Sequence, residues 1–489
     1  MNDASHHALA HTAPPAPRGA PTSDAALEQL FSRQRAAFAA HPPPSRARRL
    51  EALAALRATC AYVRKELADA LVADFGSHDP SIGLIWELSG VLGRIALAAD
   101  QLDTWMRDAP RAVHPSFGDT TCFVRYQPKG VIGNVVPWNF PVDIALGPLV
   151  DILAAGNRAI VKPSEWTPHC ADLVRRAIAA HFDPDEVSVV IGGLALSQRF
   201  IALPWDHLLY TGNPEVGRLV LAAAAANLTP VTLELGGKCP AILAPDRVSE
   251  DSIAEILMVK AVKSGQVCIN TDYVLVPEAR LDETVALLQR TWSTMFPRYV
   301  GNPANTGIIN TRHFARLRDY VTEARARGVR VVELGDERAD EARRQLPLTL
   351  LIDPPDDLAV MQEEIFGPLL PIKTYRTLDD AITYVNARAR PLALYLFSDD
   401  AQTVEHVLTR TVSGGVAINT VAAHAGVPTL PFGGIGNSGM GAHHGHEGFL
   451  TFSHARAVYQ RGSVNPYEVM RPPWGEPLAA VAAALVDGA

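Results

Sequence analysis

The stretch HLLYTGNPEVGRLVLAAAAANLTPVTLELGG, residues 207–237, holds in order a strand, a glycine-bearing turn, a helix and a second strand. His207 to Tyr210 and Val231 to Glu234 are short apolar runs, and Pro214 to Ala226 has a helical composition. Two strands joined by one helix make the unit of a parallel sheet, because parallel neighbours need a long crossover. Upstream the same alternation repeats. Gly130 to Val136, Arg158 to Lys162 and Val187 to Ile191 read as strands. Asp143 to Ala155, stopped by Gly156, and Ala171 to Phe182 read as helices. Five short strands with helical crossovers predict a doubly wound α/β sheet, which binds ligands beyond the carboxyl ends of its strands. The loops at those ends are Pro137–Pro141, Lys162–Glu165, Gly192–Gly193 and Thr211–Asn213. Gly212 and Gly217 open a helix whose free N–H groups suit a phosphate. Their spacing lacks the usual GxGxxG fingerprint, so a plain turn and helix start remains the alternative.

Downstream of this stretch, Glu234 and Cys268 lie 34 residues apart, with a helix-patterned segment between them. A thiol becomes a nucleophile when its surroundings activate it, and a carboxylate can ready water to attack a thioester. Together they can run an acyl chemistry. A lone cysteine is more often buried and inert, and a lone glutamate more often a solvated or capping residue. Glycines on both sides, Gly236 and Gly237 after Glu234 and Gly265 before Cys268, mark places where the chain turns or admits a close approach.

A second α/β region starts near Leu235, with helices at 252–263, 282–294, 311–326 and 378–387 and strands at 272–276 and 392–397. Within it, Glu363 and Glu364 precede an aromatic residue and a turn, where a solvated loop is the bland reading. The glycine-dense run at 431–441 is followed by no Lys-Ser or Lys-Thr helix start, so it is no P-loop. His443, His444 and His446 lack the Cys or carboxylate partners and the helical spacing of zinc motifs, so no metal is expected.

Composition bounds what the protein can be. A net charge of −8 argues against a basic nucleic-acid-binding surface. Five scattered cysteines without a CxxC pair imply a reducing, cytoplasmic setting. No apolar run approaches the length of about 20 residues that a spanning helix needs, and no signal pattern opens the chain. Residues 1–22 are Pro- and Ala-rich and read as a disordered tail; helical spacing follows at 24–75 and 82–107. Thr121 to Gln127 alternates as a strand able to join a sheet edge in a neighbouring subunit.

The motifs PWNFP (137–141), KPSE (162–165), YTGN (210–213), LELGGK (233–238), GQVCIN (265–270), EEIFGP (363–368) and PFGGIGNSGMG (431–441) occur in one order, with fitting gaps, between about residues 25 and 462. As a set they resemble the aldehyde dehydrogenase superfamily. Asn213, PLALYLFS (391–398) and HHGHEGFLTFS (443–453) are similar to the branch that holds the fatty and aromatic aldehyde enzymes.

The resemblance implies a doubly wound parallel-sheet cofactor domain (23–120 and 128–233) and an α/β catalytic domain (234–430). It further implies bridging, oligomerisation and C-terminal segments (121–127 and 431–489). It implies Cys268 as nucleophile, Asn139 and the Cys268 N–H as oxyanion donors, and Glu234 as the base for water. Around the cofactor it implies Pro137, Trp138, Lys162, Ser164, Glu165, Thr211, Gly212, Asn213, Gly217, Glu364 and Phe366. Glu165 favours NAD, since a carboxylate repels a 2′-phosphate, although neighbouring Lys162 leaves NADP open. Asn213 departs from the Ser of many members. The implied reaction takes an aldehyde to its acid, with coniferyl aldehyde to ferulate first and medium- or long-chain aliphatic aldehydes second. A homodimer without a membrane anchor is the implied assembly. A CoA-acylating variant, a non-redox thiol esterase and a non-catalytic nucleotide-binding protein are the alternatives; Glu234 counts against the first, and the intact Cys268, Glu234 and Asn139 against the last.

Overall fold

Runs such as Ala159–Val161 and Leu208–Tyr210 are buried, as strands covered by helices on both faces must be. The computed structural model describes residues 14–16, 18–465 and 467–487. Residues 1–13 and 17 of the expected tail lie outside these. At its end, the Thr22 N–H donates to Ile191 O at 2.8 Å.

In chain order the first strands are β1 (Ala109–Arg111), β2 (Thr121–Pro128), β3 (Val131–Val135), β4 (Arg158–Lys162), β5 (Val187–Val189), β6 (His207–Gly212), β7 (Val231–Leu235) and β8 (Pro240–Leu243). There follow β9 (Tyr273–Pro277), β10 (Arg330–Glu333), β11 (Thr349–Ile352), β12 (Leu369–Tyr375), β13 (Ala393–Phe397), β14 (Gly415–Ile418), β15 (Gly439–Met440) and β16 (Ser453–Gln460). The first large sheet has the order β15-β7-β6-β3-β4-β5. Its five expected strands are parallel, and the glycine-dense segment adds β15 antiparallel to β7, with Gly439 opposite Glu234. The chain runs outward from β3 in both directions, so a topological switch point lies between β3 and β6.

The second sheet has the order β10-β11-β12-β9-β8-β13-β14, parallel except at β10. Sequence reading left β8, β11, β12 and β14 unassigned. They are short, apolar strands without alternation, which periodicity does not separate from buried helix; β12 also contains Pro371. The segment between Glu234 and Cys268 is accordingly strand first, then the helix Glu250–Ala261. The chain passes between the two sheets at Gly236–Lys238. A third sheet, β1-β2-β16, is antiparallel throughout, so the expected strand at 121–127 pairs within its own chain.

One expectation is corrected. The helical run Pro80–Trp105, of mean hydropathy 1.5, is long and apolar enough to cross a membrane by length and composition. It is interrupted by a π-turn at Ile85–Ser89, a device that concentrates at functional sites. Here it carries Glu87, which is fully buried and ion-paired to Lys263. Farther along, Arg94 pairs with Asp143. Val91, Ile95, Ala98 and Leu102 enter the same core as Leu146, Leu149 and Val150 of the helix Asp143–Ala154.

Candidate active site

Beyond the carboxyl ends of β3, β4, β6 and β7 lies a cavity of about 1490 Å³, closed on its far side by the second sheet and its loops. Small-molecule pockets run to roughly 300–1,000 Å³. This one has room for two ligands side by side.

Of the residues expected at a site, the structure brings Asn139, Glu234 and Cys268 to the cavity wall, with Pro137, Trp138, Lys162, Ser164, Glu165, Thr211, Gly212, Asn213, Glu364 and Phe366. Gly217 is the exception. It sits one turn into the helix Pro214–Ala225, where a Cβ would come within 2.8 Å of Leu235. Its role is close packing of helix on sheet.

On the dinucleotide side, the buried Lys162 Nζ donates to Pro163 O at 2.8 Å and stands 3.6 Å from Glu165. Burial lowers its pKa, and Glu165 works against that. The Asn213 side chain accepts from Val216 N at 2.8 Å and caps the helix, as Asn, Asp, Ser and Thr do. The substitution of Asn for Ser therefore keeps a cap. Buried Thr211 Oγ1 has no hydrogen-bond partner among the described residues. An orphaned hydroxyl beside an uncovered helix N-terminus fits a bound phosphate ester. The residues present fit a dinucleotide.

On the opposite wall, Glu364 faces the cavity with its pKa pushed up to about 8, chiefly by burial and then by Asp272. A Cβ on Gly236 would collide with the Glu364 carboxylate, which explains one of the glycines beside Glu234. Phe366 adopts φ 50°, a strained conformation for a bulky residue. Its ring meets Trp138 edge-on at 5.2 Å. The neighbouring backbone is held from outside: Arg316 donates to Glu364 O and Ile365 O at 3.2 and 2.7 Å. Lys238 donates to Val360 O and Glu363 O and pairs with Asp272, which accepts from Ile365 N at 3.0 Å. Glu363 is exposed and accepts from the Tyr320 hydroxyl at 2.6 Å.

Cys268 follows a backbone kink in which Lys263 and Ser264 have φ of 48° and 53° and Gly265 of 79°. A Cβ on Gly265 would strike Gly367 O, so glycine here is required by close approach as well as by conformation. Gln266 clamps the turn: its side chain donates to Lys263 O at 2.8 Å and Gly307 O at 3.0 Å and accepts from Ile309 N at 2.9 Å. The Asn139 amide donates to Gln266 O at 3.2 Å. Lys263 Nζ donates to Asn139 O at 2.6 Å and to Glu87. Glu87 in turn accepts from Val142 N and Asp143 N at 3.0 and 2.9 Å, at the start of the helix Asp143–Ala154. Sequence reading missed Glu87, Lys263 and Gln266, because charged or amide residues far apart in the chain carry no spacing signal.

Burial pushes the Cys268 thiol up to about 12, with Glu364 and Glu234 adding to the rise. Burial also drives Glu234 well above the usual carboxylate range. The thiol of the free protein is therefore protonated near neutral pH. Below its pKa the thiolate fraction grows about tenfold per pH unit. Alkylation of Cys268 by iodoacetamide should climb at nearly that slope from pH 7 to 9, and Glu364→Gln should speed it at any one pH. A plateau below pH 8, followed by mass spectrometry of the modified peptide, would contradict this account.

His443 and His444 are buried near Glu234 and Arg94, and no group of three or more metal-ligating side chains occurs among the described residues. His424 is not part of the cavity wall and stacks on Phe432, which is.

The model of the Aldehyde dehydrogenase family matches residues 18–458. A coniferyl aldehyde dehydrogenase of Pseudomonas sp. (strain HR199 / DSM 7063) is 42% identical over 96% of this chain and 98% of its own. A dimeric NADP-preferring aldehyde dehydrogenase of Canis lupus familiaris is 36% identical over 90% and 95%. Among solved structures, a substrate-bound Staphylococcus aureus AldH superposes with a TM-score of 0.88 at 33% identity, covering 94% of this chain and 99% of that one. A Mycobacterium tuberculosis aldehyde dehydrogenase complexed with NAD+ gives 0.81 at 28% identity, covering 91% and 92%. The chain belongs to the aldehyde dehydrogenase family and is an NAD(P)-dependent oxidoreductase acting on an aldehyde.

Proposed function

We propose that the protein oxidises coniferyl aldehyde to ferulate, with NAD as the preferred acceptor and Cys268, Glu234 and Asn139 as the catalytic residues. The observation that carries this reading is the convergence of a thiol, a buried carboxyl and an amide donor on one cavity that two ligands can share. Cys268 first loses its thiol proton to solvent in the cavity, and the resulting thiolate adds to the aldehyde carbon. The Asn139 amide and the Cys268 N–H donate to the oxygen that becomes negative, a pairing worth several kcal/mol in a dry site. Held by Lys162, Glu165, Thr211 and Glu364, a dinucleotide would supply the hydride acceptor whose use leaves a thioester on Cys268. Glu234 then takes a proton from water as the water oxygen attacks the thioester carbon. The carbon–sulfur bond breaks, and the acid leaves.

Aromatic walls support the aromatic substrate. Trp86 and Phe140 stack 6.0 Å apart on the cavity side, and Phe432 lines the same cavity. An aromatic contact beyond simple burial is worth about 0.5–1.5 kcal/mol. We therefore expect kcat/KM for coniferyl aldehyde to exceed that for octanal by about tenfold, read from reduced-cofactor formation. A preference for octanal would sink the aromatic reading and leave the mechanism standing.

A homodimer is the assembly this reading carries. The β1-β2-β16 sheet leaves β16 as a largely exposed edge strand, a surface that pairing with a second copy would cover, and sedimentation equilibrium measures that state directly. The five cysteines are unpaired, which suits a reducing, cytoplasmic location.

A further inference from the structure

We infer that His443 is the positioning residue of Glu234: its neutral ring donates Nε2–H to the carboxylate and holds it ionised and aimed at the water that cleaves the thioester. This rests on the reading of Glu234 as the deacylating base.

Glu234 is 2% exposed, and neither of its carboxylate oxygens has a hydrogen-bond partner among the described residues. An unpaired carboxylate in so dry a place stays protonated and cannot accept a proton from water. His443 Nε2 stands 4.0 Å from Glu234 Oε1, the one basic side chain within ion-pair reach of it among the described residues. His443 Nδ1 is buried and unpartnered as well. A separation shorter by about 1 Å would put Nε2–H in hydrogen-bond contact with Glu234 Oε1.

The backbone makes this pairing firm. His443 and Phe432 exchange two N–H···O bonds of 2.8 Å, and β15, four residues before His443, pairs with β7 so that Gly439 lies opposite Glu234. Backbone pairing therefore fixes both residues, Glu234 against Gly439 and His443 against Phe432. The ring is wedged edge-on against His444 at 4.4 Å and Phe432 at 5.8 Å.

The surrounding charges favour a neutral donor. Burial keeps the His443 ring uncharged, and Arg94, paired with Asp143 and against His444, adds positive potential that works the same way. The His444 N–H donates to Asp151 at 3.0 Å. Cys268 and Glu364 line the same cavity as Glu234. A neutral imidazole with its proton on Nε2 gives Glu234 a donor without the cost of a second buried charge. In the step it serves, water loses a proton to Glu234, its oxygen bonds to the acyl carbon, and the Cys268 thiolate departs.

The test is rapid mixing of protein saturated with NAD against coniferyl aldehyde, comparing wild type, His443→Ala, His443→Phe and His443→Gln. We expect the Ala and Phe variants to release about one reduced cofactor per site in a fast phase. Their steady rate should fall about 10–100-fold, because a hydrogen bond to a charged group is lost. The acidic limb of their kcat–pH profile should move to higher pH, since Glu234 then needs a higher pH to ionise. His443→Gln, which keeps a neutral donor, should recover part of the rate. His443→Phe keeps the packing on Phe432, so it carries the comparison if the alanine variant fails to fold. An equal loss in the fast phase, or an unmoved acidic limb, would overturn the assignment. Wild-type protein that reduces no cofactor, or Cys268→Ala that still does, would instead overturn the reading on which it rests.

Discussion

Cys268→Ala should lower reduced-cofactor formation by at least about 10⁴-fold while leaving the fold intact, because removing the proposed nucleophile removes the covalent route altogether. Cys268 is the one thiol on the cavity wall among the described residues. Cys239, the nearest alternative in the chain, is fully buried behind it. Its Sγ donates to Cys268 O at 3.5 Å and accepts from Ala393 N at 3.3 Å. It has no path to a substrate. Cys239→Ala should therefore keep the reaction, and the pair of variants separates loss of chemistry from loss of packing. Circular dichroism of Cys268→Ala, run beside the kinetic assay, tells whether the fold survives. Residual turnover above about 1% of wild type in a folded Cys268→Ala protein would remove the thiol from the mechanism.

Lys263→Met should give the largest loss of stability. The Lys263–Glu87 pair is entirely buried, and Lys263 also lies over the Phe140 ring at 4.2 Å. Removing one partner of such a pair leaves an uncompensated charge, at a cost of about 3–5 kcal/mol. Glu87 is anchored from a second side as well. Its carboxylate accepts from two backbone N–H groups at a helix start, where negative charge is favoured. The double variant Lys263→Met/Glu87→Gln should regain much of the lost stability, since glutamine can keep one of those bonds uncharged. Denaturant midpoints of the three proteins would decide it. A single variant as stable as wild type, or a double variant no better than the single, would show that the pair is not what holds Asn139 and the Cys268 turn together.

These two experiments probe different kinds of residue, and the sequence exposes only one kind. Cys268, Glu234 and Asn139 sit in motifs whose glycines have local reasons: Gly265 lies in a left-handed turn against Gly367, and Gly236 faces Glu364. Those reasons are legible because backbone conformation and close approach constrain residue type at the position itself. The parallel sheet was legible too, since β3 to β7 alternate with helices at short range. Short buried strands such as β8 and β11 were not, because four apolar residues carry no period. The long apolar helix Pro80–Trp105 shows the converse. Its composition alone would suit a bilayer, and only its packing on the helix Asp143–Ala154, with Glu87 and Arg94 paired inward, tells that it is an internal element of the fold.

By itself, then, the order of residues determined the doubly wound architecture, the family resemblance and the chemical types available to the site. Only the tertiary structure decided which groups support them: Glu87 under Lys263, Lys238 on Asp272, Arg316 on the 364–365 backbone, His443 beside Glu234. Glu87 and Lys263 are 176 positions apart. Before folding, each is solvated and indifferent to the other. Folding removes the water, and in that dry interior an unpaired charge becomes costly enough that its partner matters.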